Sequence, residues 1–362
     1  MIIKNSLFCM VNNLPSSRNR LLFIGVQLPE NKKRAFRNVG ISESLAFQLQ
    51  QKGWEILMIS RKVHPVFRFF DMVWFTFVNS KNFDIAIIDL FSGRAFIWAE
   101  ICSAICLSKK KPYVLITHGG NLPQFSKTYP KKMGLILNNA EKVVSPSHYL
   151  KESLSSFRND IIVIPNAIKL SSYTFRQRTP ASPKLIWIRA FHEIYNPSLA
   201  PRILALLTKT MQNVRLTMVG PDKGDGSLQR MLKLASALDL QDKINIVGIV
   251  ENQHIPARLD QGDIFINTTN FDNTPLSLIE AMACGLCIVS TNVGGIPYLL
   301  EDGVDALLVP PDDPGSMADA VKEVVSNSKL AATLSLNARK KVEKFDWSVV
   351  LPAWEELLNA IS

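Results

Sequence analysis

A regular alternation of short, unbroken apolar runs with helical patterns is the feature that most constrains this sequence. Six such runs precede residue 170, and six more follow residue 183. Apolar runs without polar alternation are typical of parallel strands that helices cover on both faces. We therefore expect twelve strands, at residues 21–28, 54–60, 84–91, 112–117, 142–147, 161–166, 184–190, 214–220, 243–250, 263–269, 286–292 and 306–311.

The two series of strands predict an α/β protein with two Rossmann-like domains that face each other across a cleft. A chain of 362 residues is long enough for each domain to bury its own core. We assign residues 1–170 to the N-terminal domain and 184–362 to the C-terminal domain, with the last helix as a candidate to pack back on the N-terminal domain. Residues 171–183, rich in Ser, Thr, Pro and Arg, are interpreted as the linker.

Hydropathy and cysteine usage predict a cytoplasmic location. No apolar run reaches the roughly 18–20 residues of a membrane span, and the first residues lack the cleavage pattern of a secretory signal. The five cysteines are an odd number and have no paired His at metal-ligand spacing, so we expect neither disulfides nor zinc.

The positive charge of the chain is concentrated in its first half. Residues 1–170 contain 23 Lys and Arg against 10 Asp and Glu, whereas the remainder contains 18 against 21. The aromatic-rich segment 67–78 is interpreted as a core helix. Two interpretations stay open for the basic clusters 32–37 and 109–111, which are either solvated or form a surface for anionic lipid or an anionic acceptor.

The loop after the strand at 263–269 has the features of a phosphate site. Ligands of parallel α/β sheets bind beyond the carboxyl ends of the strands. In the stretch FDNTPLSLIEAMACG (271–285), Thr274 is a candidate N-cap and Pro275 suits the first helical turn. The amides of Leu276 and Ser277 would then be available to an anion at the positive end of the helix dipole.

Glu280 lies inside this apolar helix, on the same face as Leu276 and Ser277. Helical side chains lean towards the N-terminus, so the carboxylate is expected to reach the same loop. A carboxylate among apolar neighbours needs hydrogen-bond donors. A ribose diol or a nearby Lys or Arg could supply them.

Residues 270–313 as a whole resemble the nucleotide-sugar-binding region of family 4 retaining glycosyltransferases, which have the GT-B fold. The resemblance rests on NFDNTPLSLIEAMACG and the following strand and Gly-Gly loop, with weaker similarity at residues 118–120, 145–150, 164–168 and 218–222. It implies a retaining enzyme of the bacterial surface-polysaccharide type. Such an enzyme moves a sugar from a nucleoside-diphosphate sugar to a glycan or lipid-linked glycan acceptor. We expect no cofactor and no essential metal, because the sequence has no metal-site pattern.

The resemblance also implies roles for particular residues. Glu280 would hold the ribose, Asp272 would face the hydroxyls of the transferred sugar, and the amides of 274–277 would meet the diphosphate. Asp272 stands where the family has Glu. Arg189, at the end of the strand at 184–190, matches the diphosphate-binding arginine of the family; the alternative is an arginine on the rim of the cleft.

One position departs from the family pattern. The Lys expected five residues after that arginine is Ile194 in this sequence. Tyr195, Asn196 or Lys223 could substitute for it, or the phosphate charge is less well neutralised.

Histidine and glycine residues complete the predicted site. By the resemblance, His118 lies at the transferred sugar, although a structural role at the end of its strand is an open alternative. Gly119 lets the chain approach a ligand closely. Gly40 and Gly220 are candidates to adjoin the nucleotide sugar.

Other classes of protein remain as alternatives. A nucleotide-sugar epimerase can share the same architecture, because a fold does not fix a reaction. A basic nucleic-acid-binding protein is disfavoured by the lack of a helix-turn-helix, zinc or RNP pattern, and we expect no nucleic-acid partner. A nicotinamide-dependent oxidoreductase is disfavoured because no strand is followed by G-x-G-x-x-G. Peripheral contact with an anionic membrane is a further candidate interaction.

Overall fold

The computed structural model describes residues 20–25, 40–60, 62 and 64–361. The basic cluster 32–37 lies outside the described residues. Within them, the chain forms two parallel six-stranded sheets, one in each domain. Every predicted strand overlaps an observed one, so the predicted α/β architecture of two Rossmann-like domains is confirmed.

The N-terminal domain has the strand order β2-β1-β3-β4-β5-β6. Its strands are β1 (Arg20–Ile24), β2 (Glu55–Ile59), β3 (Ile85–Leu90), β4 (Tyr113–Thr117), β5 (Lys142–Ser145) and β6 (Ile162–Val163). Its helices are α1 (Ile41–Gln51), α2 (Pro65–Val78), α3 (Phe96–Ser108), α4 (Leu122–Thr128), α5 (Pro130–Asn138) and α6 (His148–Leu154). All six residues of β3 are buried, as expected for a central strand covered on both faces.

The C-terminal domain has the strand order β12-β11-β10-β7-β8-β9. Its strands are β7 (Lys184–Ile188), β8 (Arg215–Val219), β9 (Ile244–Gly248), β10 (Ile264–Asn267), β11 (Cys287–Thr291) and β12 (Leu307–Val309). Its helices are α7 (Leu199–Thr208), α8 (Ser227–Ala237), α9 (Ile255–Leu259), α10 (Leu276–Ala283), α11 (Ile296–Leu299), α12 (Pro314–Ser326) and α13 (Ser328–Val342).

A last helix, α14 (Trp347–Asn359), packs on the N-terminal domain. Its residues Leu351 and Trp354 share a buried apolar cluster with Phe23 of β1 and Leu45 of α1. The end of the chain therefore ties the two domains together through a second crossing.

The segment that the sequence marks as a linker is packed against the C-terminal domain. Arg178 is fully buried and forms an ion pair with Asp263. Its guanidinium also donates a 2.9 Å hydrogen bond to the carbonyl of Gly262. This arginine fixes the segment to the loop before β10, so the chain is already held by the C-terminal domain before β7 begins.

The prediction that residues 67–78 form a core helix is wrong, because α2 lies at the surface. Only one side of the helix is buried, where Met72 and Thr76 face the interior. The other side exposes large apolar side chains to solvent. None of the helices in the described ranges has the length and hydropathy needed to cross a bilayer.

Candidate active site at the domain seam

A cavity of about 300 Å³ lies between the two domains. The start of α1 and the loops that follow β3 and β4 contribute to its N-terminal wall, and the loops that follow β7 and β10 form the opposite wall. Both walls thus lie beyond the carboxyl ends of parallel strands, where such sheets bind ligands. The lining includes Gly40, Asp89, Phe91, His118, Gly119, Gly120, Ile194, Tyr195, Phe271, Asp272, Asn273 and Thr274.

Helix α10 begins at Leu276, directly after Pro275 in an extended conformation. The prediction of Thr274 as the N-cap is wrong, because Pro275 occupies the cap position and no side chain accepts from the first turn. The hydroxyl of Ser277, in that turn, is buried and has no hydrogen-bond partner among the described residues. An anion at this helix end would supply the missing acceptor.

Glu280 receives a hydrogen bond from a residue that the sequence did not single out. The Tyr173 hydroxyl donates to Oε1 of Glu280 at 2.8 Å. Burial raises the pKa of Glu280 to about 7, against the opposing effects of Tyr173 and Arg189. Burial and the neighbouring carboxylate also raise the pKa of Tyr173, so its hydroxyl stays protonated. The only sequence signal for Tyr173 is an aromatic residue within a polar segment.

Arg189 and Asp272, both predicted site residues, form an ion pair across the loops after β7 and β10. Each side chain is partly buried, and Nε of Arg189 has no hydrogen-bond partner among the described residues. The residue predicted to bind the diphosphate, Arg189, and the residue predicted to face the sugar, Asp272, therefore pair with each other in this structure. A donor bound here would have to exchange partners with them.

Gly220 packs against the backbone of Arg189. A Cβ at Gly220 would lie 1.8 Å from the carbonyl oxygen of Arg189, and its φ of +149° is one that other residues rarely adopt. Gly220 is absent from the cavity lining. Its contribution is the close packing that positions Arg189.

The position that departs from the family pattern also lines the cavity. Ile194 is 38% exposed there, and the ring centroid of Tyr195 lies 5.0 Å from the Arg189 guanidinium. Asn196 instead faces Asn270 and Asp312. Tyr195, one of the candidate substitutes for the missing Lys, therefore packs against Arg189.

His118 stands on the opposite wall, in the N-terminal domain. Its Nε2 lies 2.8 Å from Oδ1 of Asp89, and its ring stacks on Phe91 at a centroid distance of 4.7 Å. Asp89 also accepts a hydrogen bond from the hydroxyl of Ser42. These contacts fix the imidazole at the cavity wall. Asp89 escaped the sequence analysis, although a carboxylate near the end of a buried strand is a recognisable signal.

Gly119 and Gly120 follow His118, and Gly120 packs closely against the C-terminal domain. Gly119 adopts a φ of +80°. A Cβ at Gly120 would lie 2.2 Å from the ring of Phe271 in the C-terminal domain. Gly40 precedes the first turn of α1 and lines the cavity, as a residue next to a ligand would.

Direct hydrogen bonds also cross the seam. The Ser147 hydroxyl donates to Oδ1 of Asn273 at 2.5 Å, and the Tyr298 hydroxyl donates to Glu152 at 2.7 Å. The two walls of the cavity are therefore held in contact on the side of α6 and α11.

No group of three His, Cys, Asp or Glu in the described part of the chain is arranged to hold a metal ion. The expectation of no essential metal stays a prediction.

Known proteins with similar sequences are glycosyltransferases. Residues 176–341 match the family described as "Glycosyl transferases group 1". The D-inositol 3-phosphate glycosyltransferase of Mycolicibacterium smegmatis is 25% identical over 60% of this chain and 52% of its own length. The amylovoran biosynthesis glycosyltransferase AmsK of Erwinia amylovora is 32% identical over 38% of this chain and 36% of its own length. The matched region thus spans about half or less of the length of these relatives.

Solved structures match almost the whole chain. The sucrose-phosphate synthase from Thermosynechococcus elongatus superposes with a TM-score of 0.77 and 16% identity, over 95% of this chain and 99% of that one. HepE from Anabaena in complex with UDP superposes with a TM-score of 0.74 and 16% identity, over 94% and 100%. These likenesses establish the GT-B fold, and the sequence matches support a transferase. Residues 176–341 therefore match the group 1 glycosyltransferase family within a chain that has the GT-B fold.

Proposed function

We propose that this chain is a retaining glycosyltransferase of family 4 that acts in polysaccharide biosynthesis on the cytoplasmic side of the membrane. It moves a sugar from a nucleoside-diphosphate sugar to a glycan or lipid-linked glycan acceptor. One observation carries the proposal. The Arg189–Asp272 pair and the uncapped end of α10 lie on one side of the domain seam, and His118 with Asp89 lies on the other.

The C-terminal domain has groups that suit a nucleoside diphosphate, although Arg189, Ser277 and Glu280 are not among the residues that line the cavity. The Glu280 carboxylate can accept from the ribose hydroxyls through Oε2 while Oε1 stays bonded to Tyr173. The first-turn amides of α10 and the unpartnered Ser277 hydroxyl suit a phosphate. The Arg189 fork, with Nε unused by the described residues, can make a further charge-assisted contact to the same diphosphate.

The proposed reaction assigns a role to each of these groups. As the bond between the sugar C1 and the diphosphate oxygen breaks, Arg189 and the dipole of α10 stabilise the charge on the leaving group. The acceptor oxygen attacks C1 from the same face, and its proton passes to the departing diphosphate. Asp272, once released from Arg189, accepts from hydroxyls of the transferred sugar. His118, oriented by Asp89, contacts the sugar from the opposite domain.

Two comparisons support the choice of substrates. HepE was crystallised with UDP-glucose, so UDP is the first nucleotide to test. AmsK is named for the biosynthesis of a polysaccharide, which supports a glycan acceptor.

A donor screen tests the proposal. The protein is incubated with a panel of UDP-, GDP- and dTDP-sugars, with and without a lipid extract, and the released nucleoside diphosphate is measured. We expect release that depends on the acceptor and a product whose new bond has the anomeric configuration of the donor by proton NMR. Inversion, or conversion of the donor to its epimer without an acceptor, would overturn the proposal. Glu280→Gln should lower the rate of release at least tenfold, whereas Glu323→Gln, at an exposed residue of α12, should leave it unchanged.

A further inference from the structure

Helix α2 carries a continuous apolar stripe that faces solvent. Phe67, Phe70, Trp74 and Phe77 are between 49% and 70% exposed, and Val66 and Val78 extend the stripe at its two ends. Spacings of three and four residues place these side chains on one face of the helix. The opposite face is buried through Met72 and Thr76, so the exposed side chains are surplus to the core.

An apolar stripe of this size is unusual on the surface of a folded protein. Single exposed apolar residues are common, but contiguous patches mark sites of interaction. A groove lined by Phe67, Phe70 and Trp74, together with Lys62, His64 and Asp71, runs along part of the stripe. Part of the stripe therefore lines a groove that is open to a binding partner.

Basic residues stand at both ends of the stripe. Lys62 lines the groove at the start of α2. At the other end, the Lys109 ammonium lies 4.2 Å from the centroid of the Phe77 ring, and Lys110 and Lys111 follow it. Within the described residues 62, 64–84 and 109–111 there are six Lys and Arg against two Asp. The surface around the stripe is thus strongly positive.

We infer that α2 is a membrane-docking helix, which lies in the interface of an anionic bilayer with its aromatic stripe among the acyl chains. A helix in the membrane interface combines an aromatic and aliphatic face with Lys and Arg that meet anionic headgroups. Trp74, the most exposed aromatic of the stripe, suits the level of the headgroups. A second copy of the chain is a poorer occupant, because a symmetric dimer through this face would bring two sets of six basic residues together.

The position of α2 relates docking to the cleft. The helix begins beyond the carboxyl end of β2, which is the edge of the sheet that also forms the N-terminal wall of the cavity. The start of α2 therefore lies at the same edge of the N-terminal sheet as the cavity. The inference stands on the surface itself and is independent of the transfer reaction.

Vesicle co-sedimentation tests the inference directly. The intact protein is mixed with vesicles of phosphatidylcholine alone or with added phosphatidylglycerol. We expect at least tenfold tighter binding to the anionic vesicles at low salt, and weaker binding at 1 M salt, where the Debye length is about 3 Å. The combined substitution Phe67→Ser, Phe70→Ser and Trp74→Ser should weaken that binding at least tenfold. Lys109→Gln, Lys110→Gln and Lys111→Gln should weaken it while retaining the apolar stripe.

A matched control distinguishes docking through α2 from nonspecific hydrophobic adsorption to vesicles. Val349→Ser removes an apolar residue of similar exposure from α14, which packs on the other face of the sheet, and should bind vesicles like the unchanged protein. Circular dichroism and UDP affinity verify the fold of each variant. Failure of the unchanged protein to bind anionic vesicles overturns the inference, as does equal binding to neutral vesicles. A dimer that the Ser substitutions dissociate, without vesicle binding, would assign the stripe to a second copy and also overturn it.

Discussion

The Tyr173 hydroxyl donates a 2.8 Å hydrogen bond to Glu280, so a residue between the two domains contributes to the environment of a carboxylate in the C-terminal one. Ribose hydroxyls bind the ionised form of Glu280, whose pKa is raised to about 7 by burial. We expect UDP affinity to increase as pH rises through about 7. Tyr173→Phe removes a group that lowers this pKa, so the midpoint should move to higher pH. Isothermal titration calorimetry across pH 5–9 measures the midpoint.

Glu280→Gln serves as the reference for that profile. It should remove the pH-dependent step and weaken UDP binding at least tenfold, about 1.4 kcal/mol.

The raised pKa of Glu280 also affects the stability of the protein, since folding favours the protonated carboxyl. This contribution is full below the ordinary value of 4.5 and is lost as pH rises through about 7. Urea titrations should show that loss in the unchanged protein and not in the Gln variant. An unchanged midpoint in Tyr173→Phe would contradict the coupling.

Asp272→Ala should separate donor binding from transfer. In the unchanged protein Asp272 is the counter-ion of Arg189, and its loss leaves the guanidinium available to the diphosphate. We expect UDP affinity to be equal or higher, whereas turnover of the sugar nucleotide falls at least tenfold. Calorimetry with UDP and the rate of UDP release give the two quantities. A parallel fall in both would show that Asp272 only holds Arg189 in place.

Ile194→Lys should restore the missing cation. Ile194 lines the cavity and its neighbour Tyr195 packs against Arg189, so a Lys here adds positive charge near the phosphates. We expect several-fold tighter UDP binding, on the order of 1 kcal/mol, with a gain that shrinks as salt is raised. Ile194→Gln is the uncharged control of similar length. Equal affinities of the Lys and Gln variants would place the diphosphate elsewhere.

Gly120→Ala should disturb the seam without unfolding either domain. The new Cβ would lie 2.2 Å from the Phe271 ring, so the two loops must separate. We expect turnover to fall several-fold, and Phe271→Ala to restore part of it in the double variant, which a double-mutant cycle measures. Gly134→Ala is the control, because its Cβ would meet Phe157 at an ordinary 3.6 Å. Strictly additive effects of the two substitutions would argue against direct contact between these loops.

The predicted strands follow from local sequence. A run such as Ile85–Leu90 is apolar at nearly every position, and only a strand covered on both faces buries all of its residues. The loop after β10 could be recognised for a similar reason, since a proline, a short apolar helix and an internal glutamate are adjacent along the chain. The prediction of the fold class and the prediction of a donor site in this loop therefore both depended on residues that are neighbours in sequence.

Contacts between distant residues were decided by the tertiary structure alone. Tyr173 and Glu280 are 107 positions apart, and Arg189 and Asp272 are 83 apart, so no local pattern reports that they touch. The exposure of the apolar face of α2 was also decided by the tertiary structure. Its composition is that of a core helix, but it lies next to β2 at the edge of the sheet, where packing against α3 covers only one side. Hydrophobicity determined that the helix would form an apolar face, and the position of its strand determined that this face would meet solvent.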